Sequence, residues 1–362
     1  MLSVQLSGTG AAFNQIGKDR GSNTAAQNWL GDIAEVIVFD GDITDGERII
    51  IHNYLSQKWG LTDTVDSDGD GVVDASDFAP TDDSVQEASN VIVDTDGDGV
   101  SDELDAYPTD SGLVMADYAP AKDVYGSVAY EDLWPQKGDY DFNDVVIDYQ
   151  YKYAKDADNK VRKIELSMKV SSYATYTNGI GIMFEGIGEK ISSVSGVGNV
   201  SGISVASTGV ETGHGSDGVI ILSTNQHSET ATMNVTIEFS EGIEKSVLGD
   251  APHNLFIYSQ ETRGQEIHLP GHKHSNKMDT DMFKTGDDNT TAETAHSRYK
   301  TEDDLPWALH VAEKFDHPQE GRSIHQAYTK FSEWVQSGGS QGQDWYSNHA
   351  HRNAAKIKVR KK

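Results

Sequence analysis

Apolar and polar positions alternate most regularly between Val145 and Val170. Val145, Ile147, Tyr149, Tyr151 and Tyr153 fall on one side of an extended chain, with Val146, Asp148, Gln150 and Lys152 between them. After Asp156-Ala-Asp-Asn-Lys160 the alternation resumes at Ile164, Leu166, Met168 and Val170. Period two on both sides of a polar turn predicts a long antiparallel hairpin with one apolar face. Further strands are predicted at 179–184, 219–222, 235–239 and 255–258. The tail 356–362 reads as an edge strand blunted by lysines or a frayed basic end. Ile33 to Phe39 reads as a buried strand, followed by a turn at Asp40-Gly41. Helical periodicity marks two segments. Thr44 and Glu47 form a capping box ahead of Ile50, Ile51, Tyr54 and Leu55, and Gly60 is a fitting stop. Ile324, Ala327, Tyr328, Phe331, Trp334 and Val335 predict one helix ended by Gly338-Gly339. The order fits a mainly β chain, an antiparallel β-sandwich with one or two packed helices.

Charge adds the organisation. The chain has 362 residues, 58 Asp+Glu against 29 Lys+Arg, and a net charge of −29. Such a surface argues against nucleic acid as the partner, because phosphate binding needs cations. There is no cysteine, so neither disulfides nor thiolate metal sites are available. No stretch approaches the roughly 18 apolar residues of a membrane helix, so no membrane insertion is expected. From Trp59 to Ala121 there is no Lys or Arg, while Asp63 through Asp117 supplies 17 acids. That stretch reads as a module between two folded regions.

The acidic module repeats itself. Asp66-Ser-Asp68-Gly-Asp70-Gly71-Val-Val-Asp74-Ala-Ser-Asp77 recurs 28 residues later as Asp94-Thr-Asp96-Gly-Asp98-Gly99-Val-Ser-Asp102-Glu-Leu-Asp105. Carboxylates at loop positions 1, 3 and 5 can converge when the backbone curls, and glycine at position 6 permits the curl. The carbonyl at position 7 (Val72, Val100) and acids at positions 9 (Asp74, Asp102) and 12 (Asp77, Asp105) complete an all-oxygen shell suited to Ca²⁺. An EF-hand would have Glu at position 12 and flanking helices. Here Pro80 and Pro108 follow, and a continuing helix is not expected. The pattern resembles thrombospondin type 3 repeats, which implies compact calcium-wrapped segments with little apolar core.

A third acidic cluster stands at the mouth of the hairpin. Asp139, Asp141 and Asn143 alternate with Tyr140 and Phe142, and Asp144 is adjacent. In a curled loop the oxygens can share a cation while the two rings point into the core, with Glu131 or Asp132 completing the shell. The alternative is a turn in which Asp and Asn accept backbone N–H bonds.

Two further resemblances set the boundaries. Gly31 to Phe39 with Glu47-Arg48, Tyr54-Leu and Lys58-Trp59-Gly60 resembles the last strand and helix of bacterial laminin-G-like (concanavalin A-like) lectin domains. This implies a partial domain at 1–61, a jelly-roll remnant, and an N-terminus that begins inside a domain. The missing export signal is then expected to lie in the absent part. Tyr130-Glu-Asp-Leu-Trp-Pro, Gly138-Asp-Tyr-Asp-Phe-Asn-Asp-Val-Val146, Glu266-Ile-His-Leu-Pro-Gly271, Leu305-Pro-Trp-Ala-Leu309 and Asp344-Trp-Tyr346 resemble the LruC-type domain of bacterial surface proteins. This resemblance implies a secreted or surface-displayed β domain and carries no activity. The expected organisation is the partial lectin-like domain at 1–61, calcium-binding repeats at 62–115, and a LruC-type β-sandwich at 116–362.

The expected function is a calcium-binding, extracellular or outer-surface protein in adhesion, with a glycan, matrix or cell-surface component as partner and calcium rigidifying the spacer. It is not expected to be an enzyme. The alternatives are a polysaccharide-acting enzyme using paired carboxylates, a zinc hydrolase using His268, His272 and His274, and a passive envelope protein.

Overall fold

The computed structural model describes residues 33–39, 41–85, 93–174, 176–226, 232–290 and 298–358. The chain divides into two compact units, Met1–Thr109 and Asp110–Lys362.

In the first unit, helix α1 spans Asp45–Lys58. The capping box forms as predicted: Glu47 N donates to Thr44 Oγ1 at 3.2 Å, and Thr44 N donates to Glu47 Oε2 at 2.7 Å. At the other end Gly60 is left-handed (φ 62°). Gly60 N reaches Gln57 O and Leu61 N reaches Ser56 O, which satisfies the last carbonyls. The chain reverses there, so α1 buries Asn53 and Ser56, while Ile50 of the predicted apolar stripe stays exposed. Ile33 to Phe39 is a correction. It forms no strand and is exposed, with Val38 at 71%. A strand needs a ladder partner, and none exists for it among the described residues. Glu35 instead ties this segment to the end of α1, accepting from Trp59 Nε1 at 3.0 Å and pairing with Lys58. Asp40 and the lectin-like stretch before Ile33 lie outside the described residues.

The second unit holds strands β1 (Met115–Ala119), β2 (Gly126–Tyr130), β3 (Val145–Lys155), β4 (Val161–Ser172), β5 (Asn178–Phe184), β6 (Ile191–Ser195), β7 (Gly218–Gln226), β8 (Met233–Ile243), β9 (Asn254–Ser259), β10 (Glu266–His268) and β11 (Ala308–Val311). A short helix, α2 (Lys245–Leu248), precedes β9. Two more, α3 (Ile324–Ala327) and α4 (Phe331–Gln336), follow β11. One sheet runs β11-β2-β3-β4-β8-β6, with β1 joining β3 alongside β2; the other runs β10-β9-β5-β7. Every pairing is antiparallel. The protein is a mainly β sandwich.

The predicted hairpin is β3–β4, and all five predicted inward residues of β3 are buried in the core between the sheets. The expected single apolar face is too simple. Val146 and Asp148 on the opposite face are buried too. A second core made of Ala129, Val146, Leu309, Tyr140, Phe142, Phe315, Phe331 and Trp345 covers that end of the sheet. On the small sheet, Gly179 and Gly181 of β5 lie under the rings of Tyr258 and Phe256. A Cβ there would stand 2.1 Å and 2.3 Å from the two rings, so any side chain would displace them.

The predicted helix from Ile324 to Val335 is broken in two. Tyr328 is extended (φ −127°, ψ 101°) and bridges Arg352, and Thr329 N donates to His351 O at 2.9 Å. The break lets Tyr328 pack between Phe315 and Trp345. The edge-strand alternative for the tail is also a correction. Lys356 ends a 3-10 turn and Ile357 makes one isolated bridge to Pro318, so no strand forms up to Lys358, and 359–362 lie outside the described residues. No helix among the described residues is long and apolar enough to cross a membrane.

Candidate metal centres

The two repeats fold into the same loop. Asp66, Asp68 and Asp70 each offer an oxygen within 4.8 Å of the others, and Asp94, Asp96 and Asp98 do the same. Left-handed glycines make the curl: Gly69 and Gly71 (φ 83° and 98°) in the first copy, Gly97 and Gly99 (77° and 95°) in the second. The first acid closes it. Asp66 accepts from Gly69 N at 2.8 Å and Gly71 N at 3.0 Å; Asp94 accepts from Gly97 N at 2.7 Å and Gly99 N at 3.1 Å. Val72 N and Val100 N, at position 7, donate to Asp70 and Asp98.

The acids at position 9 sit differently. Both oxygens of Asp74 accept from Ser67, from its N and its Oγ, each at 2.8 Å. Asp102 takes Thr95 N at 2.7 Å and Thr95 Oγ1 at 2.6 Å. These two carboxylates clamp the second residue of each loop. The clamp was visible in sequence only as a hydroxyl residue recurring at position 2 of both copies.

At position 12, one oxygen of Asp77 accepts from Ala79 N at 2.9 Å and one of Asp105 from Tyr107 N at 2.7 Å. Their second oxygens are buried without a hydrogen-bond partner among the described residues, as are Oδ2 of Asp68, Asp96 and Asp98. Burial raises the pKa of Asp68, Asp77 and Asp105, and repulsion from the neighbouring acids of each loop adds to it. Oxygens removed from water with no donor are unfavourable unless a cation takes them.

The third loop is built from inside the sandwich. Glu131, fully buried, directly follows β2, and its N–H donates to Trp307 O at 2.9 Å. Gly138, Tyr140 and Phe142 are all left-handed (φ 67°, 63° and 53°). This alternation turns successive amides toward one point, a backbone nest for an anion. The Glu131 carboxylate fills it, accepting from Tyr140 N at 3.2 Å and from Phe142 N. Left-handed aromatic residues are strained, and their anchoring holds them there. The two rings meet edge to face at 4.7 Å in the second core, and Tyr140 OH donates to Pro306 O at 2.8 Å.

Alternating with the rings along the chain, Asp139 and Asp141 join Glu131 in a third group with oxygens within 4.8 Å. Asp141 accepts from Asn143 N at 3.2 Å and from Gly321 N at 2.8 Å. Asn143 is 1% exposed, and neither atom of its carboxamide has a hydrogen-bond partner among the described residues. Asp144 turns the other way. It accepts from Asp132 N at 2.9 Å, and Asp132 accepts from Asn178 Nδ2 at 2.7 Å. Burial, then repulsion by Asp139, raises Asp141 to about 7. Burial, then Asp132, raises Asp144 to about 8, and burial also pushes Glu131 well up. These directions favour protons on Asp141 and Asp144 when no cation is bound, and a divalent ion would compete with them.

The three histidines of the zinc alternative make no three-ligand group among the described residues. His268 contacts Asn254 Oδ1 at 2.7 Å and Glu266 Oε2 at 3.0 Å, and His274 contacts Ser275 O at 2.8 Å. None of the three metal-capable groups among the described residues contains a histidine.

The fold and these loops define an antiparallel β-sandwich protein carrying convergent carboxylate loops. The model of the DUF4842 family, described as a domain of unknown function, matches residues 159–346. The chain belongs to that family. The match begins within the β3–β4 turn, after all three acidic loops. The chain is also similar to the crystal structure of a "putative lipoprotein" from Bacteroides ovatus, with a TM-score of 0.49 and 20% identity over 68% of this chain and 76% of that one. No curated protein matches it.

Proposed function

We propose that this is a secreted or surface-displayed calcium-binding protein, and not an enzyme. Ca²⁺ occupies both repeat loops and the loop at Glu131, Asp139 and Asp141. The ions order the acidic segment, and the folded units bind an extracellular glycan or matrix component. The observation that carries this reading is the recurrence of one geometry in both repeats, with buried carboxylate oxygens of Asp68, Asp77, Asp96, Asp98 and Asp105 that have no donor among the described residues. The resemblances to thrombospondin type 3 repeats and LruC-type domains point the same way. Extracellular modules of this kind work at about 10⁻⁴–10⁻³ M calcium, which accords with an exterior location. Calorimetric titration of the EGTA-stripped chain tests the reading. Heat of binding and a raised melting temperature at millimolar calcium are expected. No heat together with no thermal shift would contradict it.

A further inference from the structure

We propose that the Asn143 carboxamide completes the cation site of the third loop, and that the resulting set of three carboxylates and one neutral oxygen selects Ca²⁺ over Mg²⁺. The proposal rests on the reading above that this loop holds calcium. It goes beyond that reading in naming what completes the site and which ion the site rejects.

Asn143 is 1% exposed, and neither Oδ1 nor Nδ2 has a hydrogen-bond partner among the described residues. A buried carboxamide ordinarily has partners for both ends. Its main chain ties it to the acidic group. Asn143 N donates to Asp141 Oδ1 at 3.2 Å, and Asp141 converges with Glu131 and Asp139. On its other side, Asn143 O accepts from Tyr173 N at 3.3 Å. With the backbone held at both groups, little freedom is lost when the side chain takes a ligand. An ion and its shell answer both ends of the carboxamide. The cation takes the oxygen, and a water or carboxylate of the shell takes the N–H. Asp144, the next residue, is instead engaged with Asp132 N.

The carboxylates are preset as well. Glu131 accepts from Tyr140 N and Phe142 N, one at each oxygen. Asp141 accepts from Asn143 N at one oxygen and Gly321 N at the other. Each oxygen keeps a second lone pair for a cation. Glu131 and Asp141 are buried while Asp139 is exposed, which leaves one side open for entry and for water.

This construction separates the two ions. Ca²⁺ takes about 6–8 oxygens in a flexible shell, so four fixed side chains and added waters suit it. Mg²⁺ keeps its waters, demands a regular octahedron at about 2.0–2.1 Å, and is usually held by one or two carboxylates. Oxygens tied to separate main-chain amides resist contracting around the smaller ion.

The test uses the full chain carrying Asp66→Ala and Asp94→Ala, which disable both repeat loops, stripped with EGTA and titrated with Ca²⁺ or Mg²⁺. Calcium heat is expected to remain, and magnesium is expected to bind at least tenfold more weakly. Adding Asn143→Leu, close in shape, should weaken calcium at least tenfold. Its melting temperature in EGTA should be unchanged or higher, since an incomplete polar group is replaced by an apolar one. Asn143→Asp restores an oxygen and should keep calcium bound. Should Asn143→Leu lose its melting transition, Asn143→Ala is expected to show the same loss of calcium. Three results overturn the proposal while leaving calcium in the third loop: equal calcium binding by Asn143→Leu, magnesium bound as tightly as calcium, or an EGTA melting temperature that falls as far as the one in calcium. Absence of calcium heat from the repeat-disabled chain overturns it too, and removes the third loop from the reading above. Only absence of heat from the unaltered chain as well defeats that reading.

Discussion

Asp66, Asp68 and Asp70 converge on a curl of chain held by its own amides, whereas Glu131, Asp139 and Asp141 converge on a loop whose rings are sunk in a core. The donor chemistry is the same and the support is opposite. In the repeats, the hydrogen bonds to the carboxylates run within a few residues along the chain, and little apolar surface stands behind them. In the third loop, the supports come from Trp307, Gly321 and Pro306. The difference teaches where calcium is structural. On the proposed reading, calcium would hold the repeats together, while in the third loop it would only replace protons in a pocket the sandwich has already shaped.

Phe142→Ala should break the supported loop most severely. Truncating a fully buried aromatic costs about 3–5 kcal/mol, read from urea denaturation of the second unit, calcium present or absent. A loss of under 1 kcal/mol would mean the loop is not anchored by its rings. Glu131→Ala comes next. It leaves the Tyr140 and Phe142 amides buried without an acceptor, at about 3 kcal/mol, and Glu131→Gln should recover part of this by keeping one acceptor oxygen.

The Asp141 contribution to the stability of the metal-free sandwich should be lost as pH rises. Asp141 sits at about 7 when folded, above an ordinary value of about 4. The folded state therefore binds a proton the unfolded chain does not. That stabilisation is complete below about pH 4 and lost as pH rises through about 7. The stability difference between the wild type and Asp141→Asn in EGTA should therefore shift between pH 5 and pH 8 in favour of the variant, since the amide mimics the protonated acid, and millimolar calcium should reverse the advantage. A variant-to-wild-type difference that does not change with pH would contradict the protonated pocket. The smallest effect belongs to the repeats. Asp74→Ala removes the two bonds to Ser67 and should weaken calcium binding while leaving the sandwich within about 0.5 kcal/mol of its original stability. A sandwich destabilised by more would mean that this clamp supports more than its own loop.

The parts legible in the sequence are those set by neighbours along the chain. The capping box at Thr44 and Glu47, the β3–β4 hairpin and the convergence of the repeat acids depend on spacings of a few residues. So does the inward turn of Tyr140 and Phe142, which parity alone predicts. Long-range partners were not legible. Nothing near Asp141 points to Gly321, and nothing near His268 points to Asn254. The break at Tyr328 follows from pairing with Arg352, which helical periodicity cannot see. Ile33 to Phe39 has a strand's composition, but composition does not supply a neighbouring strand.

Hydrogen exchange resolved along the chain, with calcium and then with EGTA, tests the contrast most directly. Amides of 62–85 and 93–109 should be protected with calcium and lose protection in EGTA, while those of β3 and β4 keep theirs in both. Equal protection of the repeat segments in calcium and EGTA would contradict the account.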